Sequence, residues 1–479
     1  MPFSARYRPD PLFAELGPEF ADPVAPARFP QHVLRRRNQA WAERVGLDTL
    51  SETEWEAHFA RFEPLPDNIS QPLAMRYHGH QFRTYNPDIG DGRGFLFAQL
   101  RDDAGRLLDL GTKGSGQTPY SRFGDGRLTL KGGVREVLAA EMLEALGVYT
   151  SKAFSLFETG EALTRGDEPS PTRSSVLVRL SHSHVRFGTF QRLAFFERSD
   201  LINRLVEHVV AAYYPRLAGS EDPAAALFGE VVAALARLAG GWMGAGFVHG
   251  VLNTDNLNIT GESFDYGPWR FLATSDPAFT AAYFDETGLY AFGRQPEAVS
   301  WALAQLGGVL TLVTSQNALE MQMKRFANAY QLGLRANVFG RLRLVQGAFE
   351  TDMEFLSAMF GWLTESQVSW DQFYHDWHGG GLSAARAAQS PQANRYAEDA
   401  FAPIRAGLDA RTGADAAFLD LDYFQRATPA SLVIEEVEAV WAAIAERDDW
   451  SLFEAKLADI AALREALGVS CHAPVAEAD

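Results

Sequence analysis

Cysteine is almost missing from this sequence: Cys471 is the single one among 479 residues. One thiol excludes an intramolecular disulfide and any cysteine-based zinc cluster, and it fits a reducing compartment without proving one. Positive charge is also short. With 43 Lys and Arg against 61 Asp and Glu, the formal net charge is -18. A surface of that sign does not suit general binding to nucleic acid or anionic membranes, which rests on clustered cations. The one basic run, Arg35-Arg36-Arg37, is short and reads as a solvated helix face. The most apolar stretch, Val231 to Leu252, carries Arg237, His249 and several glycines and runs into a polar block, so it reads as a buried helix and turn, not a membrane span. The N-terminal MPFSARYRPDPLF has no apolar core followed by a small-residue cleavage site, which predicts no secretory signal and a cytoplasmic protein. Repeats of solenoid period are absent, and the only low-complexity stretch is the Ala-rich 382 to 400, read as loop and helix.

What is present is ample core material, 47% hydrophobic and 12% aromatic residues, over a length that suits two or three domains or one bilobal enzyme. Residues 1–70 are rich in Pro and aromatics and read as an ordered N-terminal extension, with a helix at Pro30 to Val45 and another beginning near the cap-like Ser51-Glu52-Thr53-Glu54. From Arg93 the pattern becomes strand, turn, strand: Gly94 to Leu100, the turn Asp102-Asp103-Ala104-Gly105, then Leu107 to Lys113. Lys131 to Leu146 has helical spacing and ends at Gly147, and Phe154 to Glu158 and Ser175 to Leu180 read as two further strands. After about Phe187 the signal is helical, at 199–217, 224–243, 296–331, 335–366 and 430–466, with only Asn258 to Leu272 strand-like. The expectation is an α+β, bilobal, protein-kinase-like fold. Residues 71–187 form a small β-rich N-lobe with a glycine-rich loop, and 188–479 form a large helical C-lobe with a C-terminal extension.

The chemistry concentrates in His249 to Gly267. Asn256 and Asp265, nine residues apart, with Asp265 opening an Asp-Tyr-Gly turn, look like the metal-holding half of a phosphotransfer site, since crowded phosphate oxygens need a hard cation held by few protein oxygens. Kinases place a catalytic Asp soon after His-Arg or His-Gly; here His249-Gly250 is followed by Val251, which accepts no proton. Asp255 is the alternative base; the plain reading of Asp255 is a turn-forming residue. Gly90-Asp91-Gly92-Arg93-Gly94, before a strand, suits close backbone approach to phosphates, although alone it reads first as an ordinary hairpin turn. Lys113 at a strand end and Glu136 in the next helix match the ion pair that orients phosphates in kinases. A second glycine-rich tract, Gly114 to Tyr120 with Asp125-Gly126-Arg127, touches or covers a ligand or is a plain connector. Arg179 and Arg186 either grip a polyphosphate or form surface salt bridges. The pairs His78/His80 and His182/His184 make a poor zinc site and read as hydrogen-bonded structural histidines.

With these tracts in view, the chain resembles the selenoprotein O family, also called YdiU or the SelO pseudokinases, whose members are protein adenylyltransferases. The tracts that carry the resemblance are Tyr77 to Phe82, Asn86 to Arg93, Asp109 to Gly116, Ser183 to Gly188 and His249 to Asn256. The resemblance implies ATP bound in an inverted orientation, so that the α-phosphorus faces an acceptor hydroxyl and AMP passes to Ser, Thr or Tyr of another protein. It implies nucleotide contacts from Gly90, Gly92, Arg93, Lys113, Asp125, Gly126, Arg179, Arg186 and Asp265, a Lys113–Glu136 ion pair, Mg²⁺ or Mn²⁺ on Asn256 and Asp265, and Asp255 as proton acceptor. UMP transfer from UTP stays open, because phosphate-gripping residues do not read the base. Neither nucleic acid nor membrane is expected as a partner. Many relatives carry a Cys near the position of Ala281 that joins a C-terminal one; here Phe279 to Asp285 has none, so that disulfide is excluded. Two rivals remain: an atypical kinase moving the γ-phosphoryl group, and a catalytically silent nucleotide-binding scaffold.

Overall fold

Residues 3–166 and 168–469 are described by a computed structural model; Cys471 lies outside them. The fold is mixed α and β. Its strands are β1 (Ala21–Pro23), β2 (Val33–Arg37), β3 (Leu73–Met75), β4 (Gly79–Gln81), β5 (Thr84–Asn86), β6 (Leu96–Arg101), β7 (Leu107–Lys113), β8 (Leu128–Thr129), β9 (Lys152–Leu163), β10 (Thr172–Ser181), β11 (Phe247–Val248) and β12 (Arg270–Phe271). An antiparallel sheet runs β1-β3-β6-β7-β10-β9-β2, with β8 alongside β10, while β4/β5 and β11/β12 form separate two-stranded sheets.

The sheet is covered on both faces, which is why β7 is buried along its whole length, including its polar Asp109, Thr112 and Lys113. One face packs on the N-terminal helices through Trp41, Trp55, Phe59, Phe97 and Phe154. The other face holds the helix Leu130–Ala145 and joins the main core. Thr129 starts that helix by accepting the Gly132 N–H at 3.1 Å. The helix Glu52–Phe59 begins at Ser51 with a reciprocal capping box to Glu54.

Several boundaries differ from expectation for identifiable reasons. Val33–Arg37 is an edge strand paired with β9, and only Gln39–Val45 is helical, capped by Asn38. The three arginines are not a solvated helix face: Arg35 meets Glu158 at 2.6 Å, Arg36 meets Glu141 at 2.8 Å, and Arg37 stacks over Trp55. The stretch 296–331 is divided into Gln295–Leu310, Gln316–Met323 and the start of Phe326–Leu342, with Ser315 capping the second. Arg343, at φ 50°, ends the third before Phe349–Ser366 begins. The segment 430–466 is two helices, Ile434–Arg447 and Ser451–Leu467, broken at Asp448. Between 258 and 272 only Arg270–Phe271 is a strand.

Pro223–Ala245 is long and apolar enough to cross a membrane by length and composition, yet 78% of its apolar window is buried inside the protein. It packs against Gln295–Leu310 and Phe326–Leu342 as the central core helix. Its end delivers β11 and then the polar block beginning at His249.

Candidate active site

Sheet register does the first positioning. Gly111 of β7 faces Arg179 of β10, and Lys113 faces Leu177, so Lys113 and Arg179 share one face two positions apart. Glu136, inside the helix that covers this face, forms a buried ion pair with Lys113. Asp265 comes from the other side, on a left-handed backbone at φ 66° stabilised by the Gly267 N–H bonding back to its carbonyl at 3.0 Å.

Asp265 is the hub. Its Oδ1 accepts from Lys113 Nζ at 2.7 Å and lies 3.4 Å from Arg179, while Oδ2 is 3.2 Å from Arg186. Burial alone would raise this carboxyl, but Lys113, Arg179 and Arg186 outweigh it and hold it well below the usual carboxylate range. Arg186 also reaches Asp91 at 3.4 Å and donates to the Asp255 carbonyl at 2.9 Å. Both arginines lie over the ring of Phe264, and Arg186 over Tyr77 as well. Arg179 Nε and Arg186 Nε are buried without a hydrogen-bond partner among the described residues.

The loop carrying Asp255 is fixed from several directions. Thr254 Oγ1 donates to Gln191 and accepts the His80 N–H, both at 2.7 Å; Asn253 Oδ1 accepts the Phe82 N–H and the Tyr290 hydroxyl, both at 3.0 Å. Gly79 lets β4 pass close: a Cβ there would stand 2.8 Å from Asp255 Oδ1. That oxygen is buried with no hydrogen-bond partner among the described residues. Burial pushes the Asp255 carboxyl up to about 6, with Arg186 the main opposing influence.

The other expected residues are placed as follows. Gly90 and Gly92 lie under Tyr120, where side chains would collide with its ring and carbonyl. Arg93 is exposed, and its guanidinium makes no hydrogen bond or ion pair with the described residues. Gly126 packs on Gly116. Asp125 is bound by Arg165 at 2.8 Å and lines an open hollow of about 740 Å³ with Gln117, Arg127 and Glu161; no hydrogen bond or ion pair ties it to the Asp265 cluster. His78, His80 and His182 bond to Tyr85, Gln191 and Tyr149, and His184 sits beside Asp109. Sequence reasoning assigned no role to Asp91, Tyr77, Phe264 or Thr254. Asp91 was visible between Gly90 and Gly92, and Phe264 beside Asp265, but nothing local showed that arginines would come to them.

Hard oxygens are available for a divalent cation. Asn256 Nδ2 donates to the Val251 carbonyl at 3.0 Å, which leaves its amide oxygen for a metal, and Asp255 Oδ1 has no hydrogen-bond partner among the described residues. By their chemistry Asn256 and Asp265 suit a hard cation, although Asp265 is held here by Lys113, Arg179 and Arg186 and the described residues contain no cluster of three or more His, Cys, Asp or Glu that could hold one.

Chains similar to this one are named protein nucleotidyltransferase YdiU. That of Synechococcus elongatus is 53% identical over 345 residues, covering 72% of this chain and 68% of the relative. Those of Gloeobacter violaceus and a Synechocystis are 44% and 42% identical, each covering 93% of this chain and 93% and 96% of the relative. The chain is an enzyme of the nucleotidyltransferase class. The family model described as protein adenylyltransferase SelO matches residues 4–461, and the chain belongs to that family.

Proposed function

We propose that this chain transfers AMP from ATP to Ser, Thr or Tyr hydroxyls of other proteins, on a kinase-like bilobal scaffold divided at about 70 and 187, with residues 1–70 as an extension. The observation that carries this reading is a buried carboxyl, Asp255, whose Oδ1 has no hydrogen-bond partner among the described residues, joined through Arg186 to Asp265, on which three cations gather. A triphosphate offers those cations more oxygens than Asp265 does. Lys113, Arg179, Arg186 and the free Arg93 grip it, Gly90 and Gly92 let backbone approach, and Asp125 and Gly126 border it. Glu136 keeps Lys113 oriented.

In the transfer, Asp255 takes the acceptor's hydroxyl proton, the oxygen bonds to the α-phosphorus, and the bond to the bridging oxygen breaks to release pyrophosphate. The AMP-to-hydroxyl choice, against γ-phosphoryl transfer, is supported by the family and by Val251 standing where kinases carry their base. Asn256 and Asp265 would hold Mg²⁺ or Mn²⁺, which when bound neutralises the phosphate oxygens. UTP is the second donor to test, since phosphate-gripping residues do not read the base, and a cytoplasmic setting fits ATP use.

The test follows label into protein from ATP labelled at the α- or the γ-phosphate, with Mg²⁺, with Mn²⁺ or with chelator, and with UTP as competitor. The expected result is α-label only, lost with chelator. Asp255→Ala is expected to lower transfer about 10²–10⁴-fold, as loss of a general base does, and Asp265→Ala to abolish it. Incorporation of γ-label would make the protein a kinase; ATP binding without either label would make it a scaffold.

A further inference from the structure

The turn Thr118–Gly124 is pinned over the first glycine loop. Thr118 Oγ1 donates to the Asp91 carbonyl at 2.5 Å and Ser121 Oγ to the Gly92 carbonyl at 2.6 Å. Between them the Tyr120 ring rests on Gly90, and its hydroxyl bonds to Asp22. Asp91 meets Arg186, and Arg186 donates to the Asp255 carbonyl, so a short chain of contacts fixes this turn relative to the catalytic loop.

What the turn presents outward is Arg122 and Phe123. Phe123 is fully exposed, at 107%. Arg122 is exposed on a left-handed backbone at φ 53°, and its guanidinium makes no hydrogen bond or ion pair with the described residues. Single exposed apolar residues are ordinary. A bare ring and a free guanidinium, side by side on a turn clamped by two hydroxyls to the loop whose Asp91 meets Arg186, are the residue types that anchor protein interfaces. A second pair of exposed rings, Tyr283 and Phe284, borders the same loop: Phe284 packs on Phe82, whose N–H is bonded to Asn253.

We propose that the Arg122–Phe123 tip reads the acceptor protein, favouring hydroxyl-bearing segments with an Asp or Glu beside the modified residue. The inference rests on the adenylyl-transfer reading above. Charge complementarity selects the occupant. On a chain of net charge -18, an acidic flank lying over this turn meets in Arg122 a cation that no carboxylate among the described residues already holds, whereas Lys113, Arg179 and Arg186 are taken up by Asp265. A basic flank would face that guanidinium instead. Phe123 supplies the apolar contact that keeps the segment over the base.

The test uses the full-length enzyme, α-labelled ATP and synthetic Ser, Thr and Tyr peptides flanked by Asp, Ala or Arg, with direct ATP titration alongside. Wild type is expected to prefer the Asp-flanked peptides. Arg122→Ala should raise their KM about fivefold, the upper range for an exposed ion pair, with ATP affinity and kcat unchanged. Arg122→Glu should reverse the preference toward Arg-flanked peptides, and Phe123→Ala should raise KM for all three sets. Equal use of the three sets by wild type and Arg122→Glu would overturn the proposal. So would weakened ATP binding in Arg122→Ala, which would assign the residue to the nucleotide. A wild type that binds ATP but labels no peptide and not itself would overturn the adenylyl-transfer reading, and this inference with it.

Discussion

Glu262 sits three residues before Asp265, accepts the His182 N–H at 2.8 Å and is 3% exposed. Burial pushes its carboxyl up to about 7, with Lys152 and the His182 bond pulling the other way. An exposed glutamate titrates near 4.3. Between those values the folded chain keeps a proton that the unfolded chain has released, so this group's contribution to stability falls as pH rises from about 4.3 to about 7. Below that window both states are protonated and the penalty vanishes; above it the penalty is complete. Glu262→Gln keeps an acceptor for His182 and removes the titration. The stability of this variant relative to wild type should therefore rise by up to about 3 kcal/mol between pH 5 and pH 8. Urea unfolding at both pH values measures it, and a difference that does not vary with pH would rule the account out.

At the level of elements, the helices Pro223–Ala245 and Phe326–Leu342 cross where glycine is the only residue that fits. A Cβ on Gly240 would stand 2.7 Å from the Tyr330 carbonyl oxygen, and one on Gly333 would stand 2.6 Å from the Arg237 Cα. Gly361, in the helix Phe349–Ser366, has nothing within 4 Å. Alanine is worth about 1 kcal/mol over glycine in a helix interior, while overpacking costs about 1–3 kcal/mol. Gly240→Ala should therefore lower the melting temperature and Gly361→Ala should raise it, by calorimetry; the same sign at both sites would refute the crossing. Such crossings are invisible to periodicity, and so is the edge strand Val33–Arg37, whose partner β9 lies more than a hundred residues away. The hairpin β6/β7 and the helix after it were legible because a marked turn, Asp102 to Gly105, and Gly147 bound them locally. The helix ends at Arg343 and Asp448 were not legible, because neither left-handed cap is a glycine.

For the molecule as a whole, the meeting of Lys113 with Glu136 was readable from strand-helix order, whereas the brace behind Glu136 was not, since it is built from opposite ends of the chain. The helix Ser451–Leu467 packs along Leu130–Ala145, and Arg464 reaches Glu141 at 2.9 Å and Glu144 at 3.1 Å on the helix that carries Glu136. Lys131 joins Glu438 at 2.6 Å, and Arg173 and Arg35 hold Asp448 at the turn between the two C-terminal helices. These carboxylates are nearly out of water, with Glu141 9% and Glu144 6% exposed at the side chain. Removing Arg464 leaves each with fewer counter-charges, although Arg36 and Lys152 remain. Arg464→Ala should thus cost about 2 kcal/mol, since breaking a largely buried pair leaves charge uncompensated. Arg198→Ala breaks an exposed pair with Asp200 and should leave stability nearly unchanged. Because the brace bears on the Glu136 helix, Arg464→Ala should also reduce α-label transfer at a temperature where the variant is still folded, and Arg198→Ala should not. Equal losses of stability in the two variants, or transfer unchanged in Arg464→Ala, would show that the C-terminal helices cover the Glu136 helix without positioning it.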